Sequence, residues 1–196
     1  MGFGLPLIPI PMSLEQDRAR LRQILIEISV RRGQEFTLAS GRKSEVYVDA
    51  RVTTCRAEAM PLIGRLFLAK MAERGWRPAA VGGMTIGADP IVIAVARESV
   101  DDGTPINAFL VRKEAKGHGM RRQIEGLGES GPLDVVIVDD VCTTGDSTIK
   151  AIQAAREGGL NVLGAICLVD REEGAREAIE VALECPFDRI FRLSEM

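Results

Sequence analysis

Asp139 and Asp140 are adjacent carboxylates, and a hydroxyl-rich turn follows them almost at once: Thr143, Thr144, Gly145, Asp146 and Ser147. A Gly/Thr/Ser turn opening a helix presents unpaired N–H groups and the positive end of the helix dipole, which together make a phosphate cradle. The hydroxyls of Thr143, Thr144 and Ser147 add donors to it. Two neighbouring carboxylates cannot serve a phosphate directly, because like charges repel. They suit sugar hydroxyls, or a Mg²⁺ ion between themselves and a polyphosphate. Hydroxyl-binding acids beside a phosphate cradle point to a phosphorylated sugar. The plain alternative is a strand-to-helix turn with an acidic cap, common in α/β proteins, but it does not explain the paired acids.

A second concentration of chemistry lies at residues 112–123, where Arg112, Lys113, Lys116, Arg121 and Arg122 stand against the single acid Glu114. The segment also holds His118, the only histidine, and two glycines, and it has no apolar periodicity. Such a run is ordinarily a solvated loop. Its position argues for more, because it leaves the C-terminal end of an apolar strand, where doubly wound sheets bind ligands. A cationic loop there suits polyphosphate.

The elements that position these residues can be read from the apolar pattern. Val135, Val136, Ile137 and Val138 form an unbroken β-branched run, as in a parallel strand buried on both faces, with the two acids at its C-terminal end. The helix after the hydroxyl turn carries Ile149 and Ile152 on one face and stops at Gly158 and Gly159. Upstream, Ser13 and Gln16 form a capping box for a helix with Leu14, Leu21, Ile24, Leu25 and Ile28 on its stripe, ending at Arg31, Arg32 and Gly33. Residues 36–49 read as strand, tight turn at Ser40 and Gly41, strand. A helix is expected over 57–73, stopped by Gly75, then a short strand over 79–83 and a helix through about residue 96. Strands over 105–111 and 162–169, a helix through about residue 183, and a short strand near Ile190 and Phe191 complete the alternation. The fold class is therefore α/β with a mainly parallel sheet.

Composition narrows the function. A chain of 196 residues with net charge −3 shows no overall bias toward nucleic acid or membrane. Cys55, Cys142, Cys167 and Cys185 are far apart, which favours free thiols in a reducing, cytosolic setting and gives no zinc spacing. Residues 1–12 are apolar but interrupted by Pro6, Pro9 and Pro11, too short to span a bilayer and unlike a signal peptide. They read as an extended arm. Gly126, Gly128 and Gly131 match the dinucleotide-binding glycine pattern, but they precede a strand rather than follow one, so no helix N-terminus stands behind them.

The stretch from Val138 to Ser147 resembles the phosphoribosyl pyrophosphate (PRPP) motif of the type I phosphoribosyltransferases. Three further segments narrow the likeness to the orotate phosphoribosyltransferases. Residues 36–49 resemble that family's hood segment, Phe-Thr-Leu-x-Ser-Gly-Arg-x-Ser followed by Tyr and Asp, with Ala39 where many members carry lysine. Residues 112–119 resemble its flexible catalytic loop. Residues 170–175, Asp-Arg-x-Glu-Gly-Ala, resemble the segment whose arginine meets the orotate carboxylate. After the strand over 79–83, some orotate enzymes have Ala-Tyr-Lys-Gly in a loop that lies against pyrophosphate. This chain has Gly83, Met84, Thr85, Ile86 and Gly87, without the lysine.

The resemblance implies a type I phosphoribosyltransferase fold in one domain over 13–196, with a small N-terminal hood over roughly 13–52 and a core over roughly 53–196. It implies transfer of the phosphoribosyl group from PRPP to orotate, giving orotidine 5′-monophosphate and pyrophosphate in de novo pyrimidine synthesis, in the cytoplasm. Asp139, Asp140, Val141, Cys142, Thr143, Thr144, Gly145, Asp146 and Ser147 would bind PRPP, with Arg112, Lys113, Lys116 and His118 over the diphosphate. Lys116, His118, Asp139 and Asp140 would be catalytic, and Thr143 and Arg171 would orient orotate. A bland role for Arg171 is an ion pair with a glutamate at a helix start. Mg²⁺ is expected as cofactor, held mainly through PRPP with no firm protein ligand. A homodimer sharing the basic loop across subunits is expected, with no nucleic-acid or membrane partner. Two rivals stand beside this reading: a phosphoribosyltransferase for purines or another base, and a non-enzymatic PRPP-sensing regulator, which would often lose the basic loop.

Overall fold

The computed structural model describes residues 13–37, 43–114, 123–128 and 131–196. The β-branched run around Val136 is the middle of its sheet. Strands β1 (Val30–Thr37) and β2 (Lys43–Val48) form a separate antiparallel hairpin. The main sheet contains β3 (Ala80–Met84), β4 (Asn107–Val111), β5 (Ile124–Glu125), β6 (Asp134–Cys142), β7 (Asn161–Asp170) and β8 (Phe187–Arg192), in the order β5-β4-β3-β6-β7-β8. All pairings are parallel except that of the two-residue edge strand β5. Helices α1 (Leu14–Ile24), α2 (Arg51–Thr54), α3 (Met60–Glu73), α4 (Asp89–Asp101), α5 (Asp146–Glu157) and α6 (Ala175–Leu183) complete the chain, with a terminal 3₁₀ turn.

Alternation along β6 explains why both faces must be covered. Val136 and Val138 pack into the larger core with α1, α3 and α4, whereas Val135 and Ile137 pack on the other face with residues of α5 and α6. β3 and β6 approach closely at Gly83, where a Cβ would overlap the Val138 carbonyl oxygen. Two consecutive glycines in a buried strand are therefore a packing requirement here.

Several elements depart from the sequence-based expectation. The capping box at Ser13 is present, but helix α1 runs into a π turn at Leu25–Ser29, and Arg31, Arg32 and Gly33 belong to β1 rather than to a helix end. Cations and a glycine imitate a helix stop, while pairing with β2 decides the outcome. Helix α3 begins at Met60 rather than residue 57, and α4 extends to Asp101. The short α2 and β5 carry too few residues to show a period. β6 continues through both acids to Cys142, and α5 starts only at Asp146, with Gly145 at φ +87° as its cap. Residues 1–12 and the turn at Ser40 and Gly41 lie outside the described residues.

Beside the apolar stripe of α1, ion pairs fasten the hood segment to the core. Asp17 on α1 is fully buried and accepts two hydrogen bonds from Arg65 on α3, at 2.7 and 3.0 Å. Arg18 reaches the Ile190 carbonyl and packs over the Phe191 ring at 4.5 Å. Substituting R65Q strands a buried carboxylate and is expected to cost about 2 kcal/mol, below the loss for a fully enclosed pair because Arg65 keeps contact with water. Urea titration of the parent and R65Q proteins checks this; coincident midpoints would mean that Asp17 finds other compensation.

Candidate functional site

Adjacent residues on β6 point to opposite sides, and the two acids consequently have different surroundings. Asp139 turns beneath α5 and is buried. Its Oδ2 accepts from Ser147 Oγ at 2.6 Å and Thr148 Oγ1 at 2.7 Å, and its Oδ1 accepts from the Asp140 backbone N–H at 3.0 Å. This carboxylate ties the strand end to the first turn of α5. The turn between them, Thr143 to Gly145, is thereby held as a bend at the helix N-terminus, beside the positive end of the α5 dipole. Ser147 gives its hydroxyl proton to Asp139. Cys142 turns its thiol into the core, 3.1 Å from Thr148 Oγ1, so only its backbone faces the turn.

Asp140 faces a cleft of about 340 Å³. The loop after β3 lies against it, for a Cβ on Gly87 would overlap the Asp140 carboxylate. Met84 to Gly87 form one wall of the cleft, with a cis peptide between Thr85 and Ile86. Tyr47, Val48, Asp49 and Arg51 of the hood form the facing wall. Asp139, Asp140, Val141, Thr143 and Ser147 line the base, and Lys113 and Arg171 also border it.

The two carboxyls share one electrostatic problem. Burial pushes both above the usual carboxylate range. The hydroxyls of Ser147 and Thr148 pull Asp139 back. Asp140 is pushed up to about 7, by burial and then by the charge of Asp139. The Val141 N–H, donating to Asp140 at 2.9 Å, and the charge of Arg51 oppose that rise.

Arg171 makes the glutamate pair that its sequence context allowed, with Glu173 at 2.9 Å just before α6, and also reaches the cleft. It also donates to the Val46 carbonyl at 3.2 Å and Ser44 Oγ at 3.1 Å, joining the end of β7 to the hood hairpin. Arg112 meets Glu125 at 3.4 Å, and its backbone N–H donates to the Gln123 carbonyl at 2.8 Å. The basic segment therefore leaves and returns at one point beside the cleft. Lys116 and His118 lie outside the described residues, as does Ala39. Asp146 is exposed in the first turn of α5. Thr144 is half-buried in the turn.

Two residues near the site, Thr148 and Arg51, were not singled out from sequence, and Asp49 was read only as the end of the hood segment. Thr148 supports Asp139 from below, and its signal was a second hydroxyl directly after Ser147. Asp49 and Arg51 form a bidentate pair at 2.9 and 3.1 Å on the hood wall. Their spacing of two was visible, but nothing local showed that the hood would bring them to the cleft.

This arrangement has known counterparts. Residues 88–191 match the model of the phosphoribosyl transferase domain. An orotate phosphoribosyltransferase of Aquifex aeolicus is 45% identical over 182 residues, covering 92% of this chain and 97% of that protein. The chain belongs to the orotate phosphoribosyltransferase family. Two structures of the Mycobacterium tuberculosis orotate phosphoribosyltransferase superpose on it. The one in complex with Fe(III) dicitrate has a TM-score of 0.79 at 41% identity, and the one in complex with PRPP has 0.75 at 38%. Each covers 91% of this chain and 98% of the other. The orotate phosphoribosyltransferase fold is thus the type I architecture expected from the motifs, and the purine and regulator alternatives give way. Among the described residues no helix is long and apolar enough to cross a membrane.

In this orotate phosphoribosyltransferase site, the raised Asp140 has a consequence for stability. Its folded value lies above that of an unfolded aspartate, so between pH 4 and 7 the folded state holds the extra proton. Stability from this group is greatest below the unfolded value and is lost as pH rises through about 7. D140N removes the penalty. Thermal melts should show D140N more stable than the parent at pH 8, with the gap closing toward pH 4; a gap independent of pH would contradict the assignment to Asp140.

Proposed function

We propose that the cleft over Asp140 joins orotate to the phosphoribosyl group of PRPP, yielding orotidine 5′-monophosphate and pyrophosphate, the phosphoribosyl-transfer step of de novo pyrimidine synthesis. The observation that carries the reading is the split of the acid pair: one carboxylate buried to shape the phosphate turn, the other facing the cleft. The turn from Thr143 to Ser147 would hold the 5-phosphate on the N–H groups at the start of α5. Asp140 would accept from ribose hydroxyls and lie near the developing positive charge. Asp139 would act chiefly by holding the turn in place.

The bond between ribose C1 and the diphosphate oxygen breaks as the bond from C1 to the orotate nitrogen forms. By analogy with glycosyl transfer generally, the transition state has oxocarbenium character. Positioning and charge stabilisation then carry most of the acceleration, and no covalent nucleophile is required. Lys113 borders the cleft where the diphosphate would depart. Arg112, Lys116 and His118 belong to the same segment and would neutralise the leaving group as it closes and excludes water. Arg171 would offer the orotate carboxylate a bidentate fit, exchanging part of its hood contact for the ligand.

Mg²⁺ would be held mainly by PRPP's own oxygens, where it offsets diphosphate charge. Among the described residues no cluster of three or more His, Cys, Asp or Glu could hold a metal, and Asp139 is committed to its hydroxyl donors. Asp140 is the carboxylate best placed to meet such a complex. We also propose a cytoplasmic homodimer in which the basic segment of one subunit completes the cleft of the other.

Incubation with PRPP, Mg²⁺ and orotate should consume orotate absorbance, whereas adenine, hypoxanthine and uracil should react poorly, and chelation of the metal should suppress turnover. Turnover of a purine in preference to orotate would overturn the acceptor assignment. For the shared loop, K116A and D140N proteins, each expected to be inactive, should regain about a quarter of parental activity when mixed as hybrid dimers. Mixing without recovery would remove the case for a loop acting across subunits.

A further inference from the structure

We infer that Arg51 is a substrate-binding cation of this cleft, holding an oxygen of the diphosphate of PRPP, with Asp49 as the residue that positions it. The inference rests on the phosphoribosyl-transfer reading and adds to it a group that the sequence motifs do not contain.

The argument starts from the anions that the cleft must accommodate. The 5-phosphate has the turn before α5, and the orotate carboxylate has Arg171. The diphosphate carries the largest charge. The basic segment would bring Arg112, Lys113, Lys116 and His118 to one side of it, with Arg112 paired at rest with Glu125. On the opposite side, the loop from Met84 to Gly87 offers no cationic side chain. Arg51 stands on the hood wall of the same cleft as Thr85 to Gly87 and Asp140.

Its geometry is that of a prepared ligand group. Arg51 Nε and Nη2 donate to the two oxygens of Asp49 at 2.9 and 3.1 Å, which fixes the plane of the guanidinium. The Asp49 carboxyl is held below its ordinary value by that bond, so it remains an anion across the working pH range. Among the described residues no acceptor takes the Nη1 donors, and half of the Arg51 side chain is open to solvent. The guanidinium is therefore oriented by one edge and free along the other, at the margin of the cleft. Its charge already acts on Asp140. A diphosphate departing from a ribose placed over Asp140 would meet that free edge. A lysine would lose the bidentate anchor on Asp49, so charge alone should not replace it.

The test uses the full-length parent protein with R51Q, R51K and D49N. Conversion of orotate by the parent is measured first, which separates failure of the functional reading from failure of this inference. Calorimetric titration with PRPP, and separately with inorganic pyrophosphate, then measures binding directly. R51Q should weaken both by about tenfold, the usual effect of losing one charge-assisted hydrogen bond. The KM for PRPP should rise in parallel and the KM for orotate should stay within about twofold. R51K should recover only part of the loss, and D49N should reproduce it in weaker form. Unchanged affinity for PRPP and pyrophosphate in R51Q would overturn the inference. So would a rise confined to the KM for orotate, which would assign Arg51 to the base. Equal loss for both substrates, with a lowered melting temperature, would make Arg51 a structural residue of the hood and would also overturn it.

Discussion

The hydrogen bonds into the buried carboxylate of Asp139 hold the site in shape. Two hydroxyls from the first turn of α5 and one backbone N–H from its own strand fill its oxygens. A charged group withdrawn from water survives only when its lone pairs are taken. Here they are taken by Ser147 and Thr148, which fixes the distance between the end of β6 and the start of α5. The phosphate turn is the bend that spans this distance. Asp140 inherits its properties from the same bond set, because shared burial and a negative neighbour push its carboxyl up to about 7.

The rest of the fold can be understood as support for that junction. β6 lies at the centre of the sheet, covered on both faces, so its end cannot move without disturbing two cores. The close approach at Gly83 brings the loop after β3 against Asp140 from one side. From the other side, the hood is held by Arg171 at its hairpin and by Asp17 and Arg65 at its helix. Beside these polar ties, α1 with its π turn and the hairpin bury Leu21, Ile24, Leu25 and Val48 in the larger apolar core.

Much of this was legible before any coordinates. The β-branched run of β6 and the alternation around it gave the sheet, the acid pair and hydroxyl turn pointed to a phosphorylated sugar, and the resemblance of four segments to one family supplied the reaction class. What was hidden depended on pairing between distant segments. Arg31, Arg32 and Gly33 carry a helix-ending pattern, yet β2 recruits them into a strand. The unequal roles of Asp139 and Asp140 follow from strand alternation plus a hydroxyl at Thr148, and two identical letters in sequence cannot reveal which one is buried. Asp49 and Arg51 are invisible as site residues until the hairpin turns them toward β6. Short elements such as α2 and β5 have no periodicity to detect.

The seat of α1 on the far edge of the sheet has a bearing on how the chain folds. Arg18 is satisfied by the carbonyl of Ile190 and the ring of Phe191, and Arg22 by the carbonyl of Glu195. The polar anchors of α1 on this side therefore lie far along the chain, 172 residues away for Arg18 and Ile190. The apolar stripe of α1 packs on α3, which is near in sequence, whereas its anchors to β8 can form only once that strand has joined the sheet. Its capping box at Ser13 and Gln16 lets the helix be formed locally before either contact is made. The hood edge is thus locked by a long-range contact that depends on β8 having paired with β7.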